Sequence, residues 1–213
     1  MVRIYLDIET YRPKKEDAFI HEKVIAIGIL EDWTPYSPNS LNEPIEPQLF
    51  TEWELGSEKI VVEDFYKYLK GIFTDEVRFV VVVGFNILRM DIPLLIQKGL
   101  WYKVATIDEL NFLWHNTLTI DFFQSLLPAN KYMFKGLRMP RVFKVIRDEL
   151  GIVDAPQLEE HGEEIAKAYE GSEYMNIEKW LKQDLYAIRY LDLSGIIPRL
   201  IELSIRKGEF IFK

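Results

Sequence analysis

The chain of 213 residues contains no cysteine, which excludes disulfides and zinc thiolate centres. Histidine is nearly as scarce: the three present are scattered and do not read as a metal-ligand cluster. The ligands that remain are oxygens, and oxygen ligands suit Mg²⁺ or Mn²⁺. Positive charge is in deficit, with 26 Lys and Arg against 34 Asp and Glu and a net charge of −8. Affinity for a phosphate backbone comes mostly from Lys and Arg, so this balance counts against indiscriminate binding to DNA. No apolar run approaches the length needed to cross a bilayer. The N-terminus lacks a basic region followed by an apolar stretch, so a cytoplasmic location with no membrane partner is expected. No internal repeat or low-complexity segment is present. With 48% hydrophobic residues, the chain is long enough for one well-filled α/β core, and a single domain over residues 1–213 is expected.

What is present is a set of four acidic residues in local contexts suited to holding a cation. Asp7 and Glu9 interrupt the apolar run Val2-Arg3-Ile4-Tyr5-Leu6-Asp7-Ile8-Glu9-Thr10, which reads as a buried strand. Residues i and i+2 of a strand share a face, so the two carboxylates are neighbours. Burying both raises their pKa unless a cation offsets the charge. A hard divalent ion held by carboxylates and substrate phosphate is the usual partner; a strand end with its acids in water is the plainer alternative.

Phe79-Val80-Val81-Val82-Val83-Gly84 reads as a central strand buried on both faces, ended by Gly84 and followed by helical sequence. Asp91 then falls beyond the strand's C-terminal end, where open α/β sheets build their sites. It also suits a helix start, where the dipole favours an acid. The segment Asn176 to Leu191 has no Gly or Pro. Leu181, Leu185 and Ile188 form one helical stripe, and Trp180 and Asp184, four apart, share an adjoining face. Asp184 therefore borders the buried stripe unless it is simply a solvated acid on a charged helix.

In this order, the three elements resemble the exonuclease domain of family B DNA polymerases and its stand-alone relatives in the DEDD 3′–5′ exonuclease superfamily. Asp7-Ile8-Glu9-Thr10 is similar to the first motif, Gly84-Phe85-Asn86 through Asp91 to the second, and the helix carrying Asp184 to the third. Leu137 to Gly151 resembles the family's segment before the last motif, and His161 to Asp184 its closing helices. The least matched parts are 31–57 and the tail after about 195. The resemblance implies a ribonuclease H-like α/β fold, a central mixed sheet flanked by helices. It also implies a two-ion site in which Asp7 bridges both ions, Glu9 and Asp184 hold the ion bearing the attacking water, and Asp91 supports the other. Thr10, Phe85 and Asn86 are then expected on the substrate side, with Glu9 and Thr10 near the terminal 3′-hydroxyl. Two such cations, Mg²⁺ or Mn²⁺, activate water, clamp the scissile phosphate and stabilise the leaving oxygen.

One departure lies close to this chemistry. The tyrosine-type branch has a tyrosine four residues before the final aspartate, where this chain has Trp180; the histidine-type branch has a histidine five before it, where Lys179 stands. An indole donates one hydrogen bond and accepts none, so Trp180 can pack or orient but not act as a base. Tyr186, two residues past Asp184, is turned about 200° away on the helix, and Tyr174 reads as a loop residue.

Between Lys131 and Arg147 lie Lys131, Lys135, Arg138, Arg141, Lys144 and Arg147, interleaved with Tyr132, Phe134 and Phe143. Such a mixture suits gripping phosphates and stacking unpaired bases, with Lys135, Arg138 and Arg141 the chosen contacts; a solvated helix face over core aromatics is the alternative. The acidic stretch Glu159 to Glu170 reads as an exposed helix. Val24 to Leu30, Gln48 to Trp53 and Thr117 to Asp121 read as further strands, Val61 to Phe73 as an amphipathic helix, and the proline-rich 31–47 as a loop. Asp121 reads as a strand-end cap.

The expectation is a metal-dependent 3′–5′ exonuclease acting on single-stranded or frayed DNA, with RNA the competing substrate. A nucleic-acid-binding or partner-docking protein of the same fold that has lost the reaction is the alternative from another class. Trp180 favours it, and the retention of four repelling acids opposes it.

Overall fold

The computed structural model describes residues 1–12, 19, 21–74, 79–208 and 211–212. A five-stranded sheet, in the order β3-β2-β1-β4-β5, forms the middle layer. Its strands are β1 (Val2–Tyr11), β2 (Lys23–Asp32), β3 (Gln48–Thr51), β4 (Val80–Gly84) and β5 (Thr117–Asp121). β1, β2 and β3 pair antiparallel, while β4 and β5 run parallel to β1 and to each other. The valine run of β4 is buried throughout, as a strand covered on both faces requires.

Alternation along β1 sorts the two layers. Val2, Ile4, Leu6 and Ile8 join a core with α2 (Glu58–Thr74), α3 (Asp91–Trp101) and α4 (Ile107–His115). Tyr5 points the other way, into a core built with α5 (Phe122–Leu126), α6 (Met139–Leu150), α8 (Tyr174–Leu193) and α9 (Ile196–Lys207). Asp7 and Glu9 have the parity of Tyr5 and so lie on the α8 side. The short helices α1 (Glu52–Leu55) and α7 (Glu164–Glu170) complete the described α-helices, and Pro38–Asn42 and Pro128–Asn130 form 3-10 turns.

Two features fix α8 against the sheet. Asp7 is paired with Gly28 across β1 and β2, and a Cβ at Gly28 would stand 2.8 Å from both Leu181 Cγ and Leu185 Cδ1. The missing side chain lets the helix settle directly beside Asp7. Further along, Arg189 donates from Nε to Asp32 Oδ2 at 2.8 Å, and Arg3 pairs with the other oxygen of Asp32 at 3.3 Å. Tyr5 donates its hydroxyl to Asp192 at 2.9 Å. These buried charges satisfy one another, as burial demands, and set the helix's height along β1 and β2.

Several segments differ from the sequence reading. The predicted helix from Glu159 to Glu170 is helical only over Glu164–Glu170; the residues before it form a loop that brings His161 to Glu9 of β1. Tyr174 is not on a loop: it opens α8, and its ring stacks on Trp53 at 4.7 Å. Gln48 to Trp53 gives up its last two residues to α1. Phe143 belongs to the core, fully buried, so only Tyr132 and Phe134 of the interleaved aromatics face outward.

Candidate functional site

β4 ends at Gly84, where β1 continues for six more residues beyond its last pairing, Tyr5 with Val83. The N–H of Ile8 on that freed edge needs an acceptor, and Asp91 supplies it, Oδ1 lying 3.2 Å away. Asp91 is the first residue of α3, whose N-terminus aims at the sheet's end. The loop between them is held by Asp121. Its Oδ1 accepts from the N–H of Asn86 at 2.8 Å and of Phe123 at 2.9 Å, and Oδ2 from that of Leu88 at 3.0 Å. Asp121 is thus the cap expected for α5, and it also clamps the segment that delivers Asp91. Gly84 is required here because a Cβ would meet Leu6 O at 2.9 Å and Ile87 Cγ2 at 2.3 Å. Asn86 takes the left-handed backbone conformation at φ +70°, which asparagine tolerates better than most residues.

The four acids converge on the C-terminal end of β1. The Asp7 carboxyl is pushed well above the ordinary range, first by burial and then by the charges of Asp184, Asp91 and Glu9. Asp91 is raised to about 8, chiefly by burial, against the pull of its backbone hydrogen bonds. Glu9 is raised by burial and by Asp184, with His161 opposing. Asp184 is nine-tenths buried, and its Oδ1 has no hydrogen-bond partner.

His161 is the residue the sequence reading missed. Its Nε2 lies 3.2 Å from Asp184 Oδ2 and 3.6 Å from Glu9 Oε1, while Nδ1 stands 3.1 Å from the carbonyl of Glu159. The three histidines form no cluster with one another, yet this one joins two of the acids. Burial disfavours its charge, but hydrogen bonds to Asp184 and Glu9 prevail and raise it to about 10. Among the described residues, Glu9, His161 and Asp184 bring ligand atoms within 4.8 Å of one another and are able to hold a metal ion. A signal existed in the sequence: Gly162, next to His161, argues against helix at this point.

The ring of Trp180 lies parallel to His161, centroids 5.4 Å apart. Thr10 turns its hydroxyl to Glu22 Oε1, at 2.6 Å, rather than to the acids. Phe85 meets Phe123 edge-on at 5.8 Å. Arg138 and Arg141 both reach Glu160, at 2.6 and 3.5 Å, which ties the His161 loop to α6; Lys135 is exposed. Beside the Asn86 loop, the guanidinium of Arg89 lies 4.1 Å from the ring centre of Phe134, which in turn stacks on Phe123. Tyr132 and Phe134 are largely exposed there. The open hollow lined by Phe73, Phe79, Phe112 and Leu118 lies at the opposite end of β4 and β5 and contains none of the four acids.

No family model matches the chain, and no curated protein matches it in sequence. Among solved structures, it is similar to the family B DNA polymerase from the hyperthermophilic archaeon Pyrobaculum calidifontis, with a TM-score of 0.62 and 15% identity. The match covers 99% of this chain and 26% of that one, so the chain spans about a quarter of the polymerase's length. The likeness shows the fold: a mixed sheet with flanking helices, of the ribonuclease H-like type. Among the described residues, no helix is long and apolar enough to cross a membrane.

Proposed function

We propose that the chain is a metal-dependent 3′–5′ exonuclease of the DEDD type, acting on single-stranded or frayed DNA ends. The observation that carries this reading is the convergence of Asp7, Glu9, Asp91 and Asp184 at one strand end, with burial and then their repulsion raising Asp7 and an Asp184 oxygen left without a partner. A structure gains nothing from collecting buried carboxylates unless a cation completes them. The residues fit such a group: oxygen donors suited to Mg²⁺ or Mn²⁺ line the position, and one of them, Asp184, has a buried oxygen without a hydrogen-bond partner. Asp7 and Asp91 would hold one ion, and Asp7, Glu9 and Asp184 the other. When bound, the ions supply Lewis-acid stabilisation of phosphate charge and lower the pKa of water.

The chain's own residues do the rest. Hydrolysis adds water across the terminal phosphodiester: the bond from phosphorus to the 3′ oxygen breaks, leaving a shortened strand with a 3′-hydroxyl and a nucleoside 5′-monophosphate. Asp121 fixes the loop that carries Phe85 and Asn86, which would border the terminal nucleotide. The Arg89–Phe134–Phe123 stack and exposed Tyr132 offer flat faces to unpaired bases, a sequence-tolerant mode of single-strand binding. Lys135 is exposed and, with Arg138 and Arg141, would meet phosphates. The indole of Trp180 accepts no proton, so the general base is not at position 180. Proofreading, DNA repair and end-trimming all call on this chemistry, and RNA presents the same phosphodiester.

A second reading, a nucleic-acid-binding protein that has lost the reaction, is favoured by one observation: His161 already satisfies Glu9 and an oxygen of Asp184. Release of labelled nucleotides from single-stranded DNA with Mg²⁺ or Mn²⁺ separates the two. The exonuclease reading predicts release that EDTA stops and that falls by at least about 10³-fold in Asp7→Ala, on the scale of a lost electrostatic centre. Strand binding with no release in either metal would establish the binding protein instead.

A further inference from the structure

We propose that His161 is a metal ligand through Nε2, completing with Glu9 and Asp184 a mixed nitrogen–oxygen site that takes Mn²⁺ or a similar transition-metal ion in preference to Mg²⁺. The proposal rests on the metal-dependent reading above and names the ion class of one half of that site.

Four observations support it. The ring is oriented before any ligand arrives: Nδ1 is within hydrogen-bond reach of the Glu159 carbonyl, at 3.1 Å, which directs Nε2 toward Glu9 and Asp184. Metal-bound histidines almost always have their second nitrogen engaged in this way. The ring is also walled by Trp180, parallel to it within 2°. The loop that leads into it is fastened at two points, Glu160 to Arg138 and Arg141, and Pro156, through its carbonyl, to Arg147. Lastly, the second carboxylate oxygen of Asp184 is buried with no hydrogen-bond partner, the kind of group a bound cation satisfies.

Donor chemistry then sets the ion. Mg²⁺ binds oxygen and keeps much of its water, while an imidazole nitrogen favours first-row transition-metal ions over Mg²⁺. Trp180 also acquires a role. Where the resemblance leads one to expect a hydroxyl, the chain has a flat surface that holds an imidazole brought in from another loop; Trp180 is a positioning residue.

The test is pulsed electron paramagnetic resonance on the Mn²⁺-loaded protein, with Mn²⁺ and Mg²⁺ affinities measured in parallel by calorimetry. The wild type is expected to show nitrogen-14 modulation of the Mn²⁺ echo. In His161→Gln that modulation should vanish and Mn²⁺ affinity should fall about 10-fold or more, on the scale for lost metal-site groups, with Mg²⁺ affinity changed less than about twofold. A His21→Gln/His115→Gln background makes His161 the sole histidine, and nitrogen-15 labelling there should alter the echo, a readout that survives misfolding of His161→Gln. Mn²⁺ binding without nitrogen modulation, or tighter Mn²⁺ binding by His161→Gln, would overturn the proposal: His161 would be a counterion that metal displaces, and the exonuclease reading would stand. Failure of the wild type to bind Mn²⁺ or Mg²⁺ at millimolar concentration would overturn both.

Discussion

The imidazole of His161 lies flat against the indole of Trp180, ring centroids 5.4 Å apart, so the residue that breaks the expected motif is the one that seats an unexpected histidine among the acids. Aromatic stacking contributes about 0.5–1.5 kcal/mol beyond area burial. Trp180→Phe keeps a ring face and should change the hydrolysis rate less than about threefold. Trp180→Ala removes the wall and should slow it about 10-fold, equivalent to roughly 1.4 kcal/mol. Steady-state rates of the two variants check this; equal rates would show that the stack has no bearing on the site.

Asp121 holds the backbone N–H groups of Asn86, Leu88, Phe123 and Gln124. Asp121→Ala leaves them without that acceptor, and each buried unsatisfied group costs about 1–3 kcal/mol. Relaxation of the loop toward water recovers part of this, so urea unfolding should report a net loss of roughly 2–4 kcal/mol. A loss under about 0.5 kcal/mol would mean the clamp is dispensable.

Gly28→Ala places a methyl 2.8 Å from Leu181 and Leu185. Overpacking of this kind costs about 1–3 kcal/mol. Because α8 carries Asp184, the same change should weaken divalent metal binding, measured by calorimetry, more than a surface substitution of equal stability cost does.

Stability should depend on pH in a definite direction. Asp91, at about 8 in the folded chain against an ordinary 3.8, keeps a proton that the unfolded chain has already lost. The folded state binds more protons across that window, so its stability falls as pH rises and reaches its floor above about 8. His161, raised to about 10 from 6.5, contributes stability that is complete below 6.5 and is lost as pH rises toward 10. In EDTA the melting temperature should therefore fall between pH 6 and pH 9. Mg²⁺ binds the ionised carboxylates of the native state and should raise it more at pH 8.5 than at pH 6. A melting temperature in EDTA that climbs over this range would contradict the burial of these carboxyls.

The sheet and the elements that carry the four acids were legible because each is a strongly patterned segment: a strand with two acids in phase, a valine run ended by glycine, and a helix with a leucine stripe. His161 was not, because its position depends on a loop without periodicity, anchored by Glu160, Arg138 and Arg141 across 20 residues of sequence. Charge composition alone made that loop look like a solvated helix. The pairing of Arg138 and Arg141 was hidden for the same reason: a basic run announces affinity for anions, and an anion within reach is the protein's own Glu160.

The most direct test of the central claim is a time course on 5′-labelled single-stranded DNA and RNA of one sequence, in Mn²⁺, Mg²⁺ or EDTA, with Asp7→Ala alongside. The account predicts a ladder that shortens one nucleotide at a time from the 3′ end of the DNA, requires metal and is absent in Asp7→Ala. Immediate release of the 5′ label as a mononucleotide, internal cuts without a ladder, or intact strands under every condition would contradict it.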